Sequence, residues 1–202
     1  EEVSAEGSIN VVVAINVKGT FEIKNKTVEV TDYNKNGSFD IDDTLYCAHE
    51  QNYKAGAAAG YSSYTGNYGL SLGKLWGDDS GSFGYYVNNA SAWSLADVVK
   101  NGDYVYAFVY TDDVACSDKY SYFDTIKTTA LSGTEKELTL TAFSEYDAVW
   151  NPVFAPYKNA VVKVDGEVKG STDDNGKVKL TFNKSGVYEV TAAAAEGSSD
   201  VL

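Results

Sequence analysis

The segment at residues 103–110, DYVYAFVY, constrains the fold more than any other part of the chain. In an extended strand successive side chains point to opposite faces, so the four aromatic residues at the even positions share one face. The aliphatic residues at positions 105, 107 and 109 share the other face. Because both faces are apolar, both are expected to be covered, which is typical of a strand at the centre of a sheet.

Other segments in the first part of the chain predict further strands and one helix. Between residues 41 and 53, Ile41, Leu45 and Ala48 fall on one helical face. Strands are predicted at residues 9–21, 27–30, 68–72 and 83–87. The eighteen glycines and sixteen tyrosines agree with a mainly β protein that has many tight turns.

The chain changes character beyond residue 131. Short strands alternate with turn sequences such as Asp165-Gly166, and no helical pattern is present. These strands are predicted at residues 137–143, 160–164, 177–182 and 186–192. We therefore expect an α+β domain at residues 1–131 and a small β-sandwich at residues 132–202, with the boundary within residues 132–157.

The charge and the composition exclude some classes of partner. The formal net charge is −13, and all sixteen basic residues are lysines. A nucleic-acid partner is not expected, because a polyanion is repelled and arginine, the usual fork for phosphate, is absent. No apolar run approaches the roughly 20 residues of a transmembrane helix. We expect a monomer with no membrane span.

The composition also predicts a location outside the cell. The chain contains no methionine, even at position 1, and a cleaved signal peptide is the simplest explanation. An acidic, tyrosine-rich chain without arginine agrees with this interpretation. We therefore expect a secreted or cell-surface protein.

The strongest motif is a twelve-residue loop at residues 32–43, DYNKNGSFDIDD. It matches the pattern of a calcium loop, in which oxygens at alternating positions surround the ion and a glycine at the sixth position permits a sharp turn. Gly37 occupies that sixth position. The predicted Ca²⁺ ligands are Asp32, Asn34, Asn36, Ser38 through its carbonyl, Asp40 and Asp43.

The loop departs from the usual pattern in two ways. Asp43 stands where a bidentate glutamate is usual, and strand residues rather than a helix precede the loop. The loop resembles the calcium loops of dockerins and other extracellular calcium modules, which also use aspartate at the last position. The alternative is a polar turn that binds no ion, in which Asp43 only caps the helix.

Two cysteines, Cys47 and Cys116, are the whole complement. In an exported protein such a pair most simply forms one disulfide, which is the prediction here. The alternative is two buried thiols, as in a cytosolic protein.

Few residues of the chain suit catalysis, and we expect no enzyme activity. His49 is the only histidine, which excludes zinc sites with two histidines, and we expect it to be a packed side chain. No nucleophile motif or glycine-rich phosphate loop is present. The pairs Asp78-Asp79 and Asp112-Asp113 could supply glycosidase carboxylates, but acidic loop tips are the commoner explanation.

Residues 9–111 resemble a bacterial surface domain related to the C-terminal domain of vitamin-B12 carriers. The resemblance rests on the order of strand and helix and on the motifs YGLSL at 68–72, GYYVNN at 84–89 and KNGDYVY at 100–106. It implies a β-grasp-like sheet packed over one helix, with the calcium loop as an insertion. Asn89 and Asn101 replace a glycine and an aspartate of the family motifs, which are structural rather than catalytic.

The second part of the chain resembles the bacterial immunoglobulin-like modules of surface-protein arrays. The motifs are NAVVKVDG at 159–166, STDDNGKVKL at 171–180 and GVYEV at 186–190. The resemblance implies an immunoglobulin-like β-sandwich. The Lys–Asn isopeptide bond of pilin-like relatives is not expected, because the last strand contains no asparagine.

Two functions of different classes follow from these observations. In the first, the chain is a non-catalytic, calcium-stabilised surface module of a Gram-positive bacterium, and its partner is a surface ligand or a neighbouring surface domain. Its role is then adhesion or spacing. In the second, the aromatic strands at 83–87 and 104–110, with Trp76 and Trp93, line a pocket for a small ligand such as a glycan or a corrinoid. The alternative for these aromatic residues is the core of the sheet.

Overall fold

The computed structural model describes residues 4–202. The chain is mainly β, with 43% of its residues in strands and 8% in helices, which confirms the predicted fold class at that level. It divides into two compact units, which we call unit 1, ending at Cys116, and unit 2, Ser117–Leu202. Within the described residues, no helix has the length and apolar character needed to cross a membrane.

Unit 1 is built on a five-stranded mixed sheet. In spatial order its strands are β2 (Thr20–Val30), β1 (Ile9–Val17), β7 (Tyr104–Val109), β5 (Phe83–Val87) and β6 (Ala90–Ser91), numbered along the chain. The central strand β7 runs parallel to β1 and antiparallel to β5. Val105, Ala107 and Val109 are buried in the core on one face, and Phe108 is buried on the other. The central position predicted from the two apolar faces is therefore confirmed.

The segment at residues 9–21 is a hairpin and not one strand, so that prediction is wrong. Lys18 and Gly19 have φ values of +49° and +87°, and Val17 pairs with Thr20 across them. Two consecutive residues with positive φ form the two-residue turn that best matches the twist of antiparallel strands. β2 therefore begins at Thr20 and includes the separately predicted strand at residues 27–30.

The predicted helix is present as α1 (Ile41–Asn52), and it packs against β2. Ile41, Leu45 and Ala48 are fully buried, as the helical pattern predicts. The chain then forms one short helical turn and a hairpin: α2 (Ala57–Gly60), β3 (Ser62–Gly66) and β4 (Gly69–Lys74). The strand predicted at residues 68–72 is thus the second strand of this hairpin.

Unit 2 consists of two antiparallel sheets. One contains β8 (Ser121–Phe123), β9 (Glu135–Tyr146), β10 (Pro152–Pro156) and β13 (Lys177–Thr181). The other contains β11 (Val161–Val164), β12 (Glu167–Ser171) and β14 (Val190–Ala193). Side chains from both sheets share one core: Leu138, Val162, Val164, Val178 and Leu180. Both prolines lie at the ends of the edge strand β10, where a missing N–H disturbs the pairing least.

The contacts of the chain divide it between Cys116 and Ser117, whereas the sequence predicts a domain boundary within residues 132–157. β8 pairs with residues 140–142 of β9, so the chain enters the second unit at Ser117. Much of residues 132–157 instead forms the continuous hairpin of β9 and β10. A three-residue strand within a polar segment has no periodic pattern, which is why the sequence did not reveal it.

The disulfide predicted between Cys47 and Cys116 is not formed in the structure. Cys47 is buried on α1, and its thiol donates to the Thr31 carbonyl oxygen, 3.8 Å from Sγ. Cys116 is exposed, and its N–H donates to the Asp112 carbonyl in a turn. One thiol therefore faces the interior and the other lies at the surface, so pairing would require one of the two segments to move.

Candidate metal centre

The loop at residues 32–43 joins the end of β2 to the start of α1. The segment that precedes β7 holds its C-terminal part. The Val99 N–H donates to the Phe39 carbonyl at 2.9 Å, and the Ile41 N–H donates to the Asp97 carbonyl at 3.2 Å. The end of the loop is therefore part of the hydrogen-bonded framework of unit 1.

Asp32 organises the first half of the loop. Its carboxylate accepts hydrogen bonds from the backbone N–H groups of Asn36 and Gly37, at 3.1 and 3.0 Å, and from that of Ala5 at 2.7 Å. Gly37 has a φ of +88°, which residues with a side chain adopt only at a steric cost. These contacts close a turn around the position where the calcium pattern places its first ligand.

Asp40 and Asp43 form a reciprocal capping box at the start of α1. The Asp43 N–H donates to Asp40 Oδ1 at 2.9 Å, and the Asp40 N–H donates to Asp43 Oδ2 at 3.2 Å. The other carboxylate oxygen of Asp43 accepts from the Tyr33 N–H at 3.0 Å. Because Asp40 is the N-cap and Asp43 the third helical residue, the start of the helix sets the spacing of their carboxylates.

The amides of Asn34 and Asn36 complete the cluster. Both donate from Nδ2 to Asp40 Oδ2, at 3.3 and 2.7 Å. Asn36 Oδ1 accepts from the N–H and the hydroxyl of Ser38, at 2.9 and 2.8 Å. The structure thus links the six predicted ligand residues in one hydrogen-bonded network, in which the two amides present nitrogen rather than oxygen to Asp40.

Asp42 is a further buried carboxylate beside the loop, and it is not among the predicted ligands. Its Oδ1 accepts from the Tyr61 hydroxyl at 2.5 Å, and its Oδ2 accepts from Asn34 Nδ2 at 3.3 Å. Its only sequence signal is a position in the first turn of the helix. Acidic residues are common there because they interact favourably with the helix dipole.

Four carboxylates are therefore buried within this short segment. Asp40 and Asp43 are fully buried, and Asp42 and Asp32 are 2% and 7% exposed. Backbone N–H groups and the Tyr61 hydroxyl donate hydrogen bonds to them. Burial, followed by the charge of Asp40, raises the pKa of Asp43 to about 7. Burial also raises the pKa of Asp40, although the hydrogen bonds that it accepts act in the opposite direction.

Hydrogen bonds occupy these carboxylates, which do not converge on one point. Within the described residues, no three histidine, cysteine, aspartate or glutamate side chains are grouped as a metal site. No buried side-chain oxygen or nitrogen in the same part of the chain lacks a hydrogen-bond partner. The arrangement is a closed turn in which the amide nitrogens of Asn34 and Asn36 face Asp40.

His49 is a packed side chain, as the sequence predicts. It is fully buried; Nδ1 donates to the Leu45 carbonyl at 2.6 Å, and Nε2 accepts from the Trp76 N–H at 2.8 Å. Burial lowers its pKa to about 4. The hydrogen bond to the Leu45 carbonyl acts in the opposite direction but has the smaller effect. Because both nitrogens are engaged, this histidine is poorly suited to bind a metal or to transfer protons.

Three of the four carboxylates in the acidic pairs make structural contacts. Lys18 Nζ lies 3.3 Å from carboxylate oxygens of both Asp78 and Asp113. Asp112 accepts hydrogen bonds from two backbone N–H groups of its own turn, at 2.9 and 3.0 Å. These three carboxylates therefore have structural roles, two of them in ion pairs with Lys18 and one in a turn.

The structure does not bring the aromatic residues of the small-ligand hypothesis together. Trp76 packs on the helix side of the sheet, with its ring centroid 5.0 Å from those of His49 and Tyr53. The aromatic side chains of β7 lie on the opposite face, where Phe108 is buried. Trp93 is exposed. The two tryptophans and the two strands therefore do not line one pocket.

Comparison of the chain with protein-family models, with curated proteins and with solved structures found no match.

Proposed function

We propose that the chain is a non-catalytic, calcium-stabilised module of a secreted or cell-surface protein from a Gram-positive bacterium. Its role is adhesion to a surface ligand or spacing between neighbouring surface domains. The observation that carries the proposal is the loop at residues 32–43. Four of its carboxylates, those of Asp32, Asp40, Asp42 and Asp43, are buried close together in the sequence.

The donor set suits Ca²⁺, a hard cation that takes six to eight oxygens from carboxylates, amides and backbone carbonyls. The proposed ligands are the side chains of Asp32, Asn34, Asn36, Asp40 and Asp43 and the carbonyl of Ser38. The turn at Gly37 and the capping box support this assignment, because they occur at the matching positions of a calcium loop. A buried charge is costly unless it is paired or coordinates a metal, so an ion here would stabilise the fold.

Ion binding would require a local rearrangement. A half-turn of the Asn34 and Asn36 amides exchanges nitrogen for oxygen at the positions that face Asp40. For Asn36 this rotation breaks the hydrogen bonds that Ser38 donates to Oδ1. Calcium would then hold the junction between β2 and α1, which is a role in folding and not in catalysis.

The side chains with catalytic potential support the non-catalytic part of the proposal. Both nitrogens of His49 are hydrogen-bonded in the interior. Asp78 and Asp113 share an ion pair with Lys18. Acid–base catalysis needs a group that can reach a substrate and exchange a proton with it, and these groups are already engaged.

The order of the elements supports the surface-domain part of the proposal. In unit 1 a hairpin leads into one helix, and the central strand β7 returns parallel to β1, which agrees with a β-grasp-like sheet over a helix. In unit 2 two antiparallel sheets share one apolar core, which agrees with an immunoglobulin-like sandwich. Both arrangements suit rigid modules of a surface protein.

Calcium titration by calorimetry, together with thermal unfolding in calcium and in EGTA, tests the proposal. For the wild type we expect one binding event per chain and a higher melting temperature in calcium. Asp32→Ala should remove both effects. A wild type that gives no heat of binding at millimolar calcium and melts identically in EGTA would refute the calcium site.

Asp173→Ala is the matched control. The Asp173 carboxylate also closes a polar turn, since it accepts from the N–H groups of Asn175 and Lys177 at 2.8 and 2.9 Å, but it lies outside the calcium pattern. This variant should keep the wild-type response to EGTA. If both variants lost that response equally, general destabilisation would explain the result and the assignment of Asp32 as a ligand would be wrong.

A further inference from the structure

The hairpin of β9 and β10 ends in a tip at residues 146–151, YDAVWN, which we call the hairpin tip. Three of its large side chains are exposed: Tyr146 by 54%, Val149 by 71% and Trp150 by 74%. A cluster of exposed apolar side chains marks an interaction site more often than a single one does. The proposed calcium site does not involve this part of the chain.

Asp147 fixes the conformation of the hairpin tip. Its carboxylate accepts from the N–H groups of Val149 and Asn151, at 2.9 and 2.8 Å, and from the Asn151 side-chain amide at 3.0 Å. Its own N–H donates to the Asn151 carbonyl at 2.9 Å. The Trp150 N–H donates to the Asp147 carbonyl at 3.1 Å. Because these hydrogen bonds already fix the backbone of the hairpin tip, the tip would lose little conformational entropy when a ligand binds.

The two aromatic rings are arranged next to each other on this fixed backbone. Trp150 has a φ of +66°, in the left-handed region that bulky residues rarely adopt. Its ring centroid lies 5.9 Å from that of Tyr146, at an interplanar angle of 48°. The ring centroid of Tyr146 in turn lies 4.9 Å from that of Phe143, which is also in β9. Strained backbone of this kind persists where the surroundings impose it and is concentrated at binding sites.

We propose that the hairpin tip binds uncharged glycans by stacking sugar rings on Trp150 and Tyr146. One face of a pyranose ring presents mainly C–H groups, and its hydroxyl groups can stay hydrated at the edge. Such a ring stacks on an exposed aromatic side chain without burying unpaired polar groups, so an open surface is sufficient. An exposed pair of rings held by polar turn contacts fits this ligand class.

The charge around the hairpin tip selects against anionic ligands. Glu145 and Asp147 flank Tyr146 in the sequence, and the chain as a whole carries a charge of −13. Hydrogen bonds from Asn151 and Val149 lower the pKa of Asp147, so that its carboxylate is ionised at neutral pH. Nucleic acids, acidic polysaccharides and anionic membranes would therefore be repelled.

Retention on insoluble cellulose, xylan, mannan and β-1,3-glucan, together with an array of neutral oligosaccharides, tests the proposal. We expect the wild-type chain to bind at least one of these glycans. Trp150→Gly should weaken that binding by about tenfold or more, because the stacking ring is removed. Glycine adopts the φ of this position without strain, so the variant should melt at or above the wild-type temperature. Trp150→Tyr keeps a ring and should retain most of the binding.

Trp93→Ala is the matched control, because Trp93 is 76% exposed but belongs to unit 1. It should bind glycans like the wild type. Absence of wild-type binding to every glycan tested, or equal binding by Trp150→Gly, would overturn the proposal. Binding to phosphatidylcholine vesicles that Trp150→Gly abolishes, without glycan binding, would also overturn it and would assign the hairpin tip to a lipid surface.

Discussion

The imidazole of His49 accepts a hydrogen bond at Nε2 from the backbone N–H of Trp76, across 2.8 Å. Its Nδ1 donates to the Leu45 carbonyl, so both nitrogens are used. The bond attaches α1 to the turn that follows β4, in which Trp76 adopts a φ of +51°. Because this bond requires an unprotonated Nε2, unit 1 depends on the neutral form of the histidine.

Acid should therefore destabilise the fold through His49. Its pKa falls from 6.5 to about 4 on folding, so the unfolded chain binds the proton more readily between these values. The contribution to stability is complete above pH 6.5 and is lost as the pH falls towards 4; it amounts to about 3 kcal/mol. Asp43 titrates in the same range with the opposite effect, because its pKa is raised on folding to about 7. The contribution of His49 is therefore measured by urea unfolding at pH 7.5 and 4.5 as the difference between the wild type and His49→Gln. On going to pH 4.5 the wild type should lose more stability, or gain less, than the variant; an equal change in both proteins would contradict the prediction.

Asp40→Asn separates helix capping from calcium binding. Asparagine caps a helix about as well as aspartate, whereas Asp40→Ala should cost about 1 kcal/mol in EGTA through the lost cap. At calcium a thousandfold above its dissociation constant, the wild type should gain about 4 kcal/mol. Both variants should lose most of that gain, as measured by urea unfolding. A full calcium gain in Asp40→Asn would show that this carboxylate is not a ligand.

Gly84 should tolerate no side chain, because the Phe108 ring covers it from the adjacent strand. A Cβ at this position would lie 2.3 Å from Phe108 Cζ. We expect Gly84→Ala to cost about 1–3 kcal/mol, and to cost much less when Phe108 is already alanine. Gly186→Ala is the control, since the atoms nearest to its Cβ would be those of Tyr188, at 3.6 Å or more. Equal costs with and without the Phe108 ring would show that the overlap is not the cause.

The two thiols should differ in reactivity. Cys116 is exposed, whereas Cys47 is buried, and burial raises the pKa of its thiol, so less of the reactive thiolate is present. In protein never exposed to reductant, iodoacetamide should label one cysteine in the native state and both after denaturation, as intact mass would show. Cys116→Ser should abolish the native labelling. Absence of labelling even after denaturation would indicate a disulfide instead.

The features of unit 1 that could be predicted depend on short-range patterns. The alternation of residues 103–110 shows that both faces of β7 are apolar, and two apolar faces predict a strand that is buried on both sides. Ile41, Leu45 and Ala48 recur at helical spacing. Asp40 and Asp43 cap the helix through contacts three residues apart, so the turn and the start of α1 follow from the loop sequence.

The features that could not be predicted depend on backbone conformation or on distant partners. Lys18 and Gly19 turn the chain inside an otherwise strand-like run, and such a turn has no apolar pattern of its own. Asp42 acquires its role from Tyr61, a residue between α2 and β3. The count of cysteines says nothing about the direction of the Cys47 side chain, which decides whether pairing is possible.

The parallel pairing of β1 with β7 determines when unit 1 can complete its fold. Val12 lies opposite Tyr104, so β1 waits for the synthesis of β7, which comes later in the unit. Until then β2 covers one edge of β1, and the other edge can pair with foreign strands. Contacts between residues so distant in the chain form slowly, because loop closure is costly before the contact contributes. The interval between the two strands is therefore the period in which a nascent chain is most at risk of aggregation.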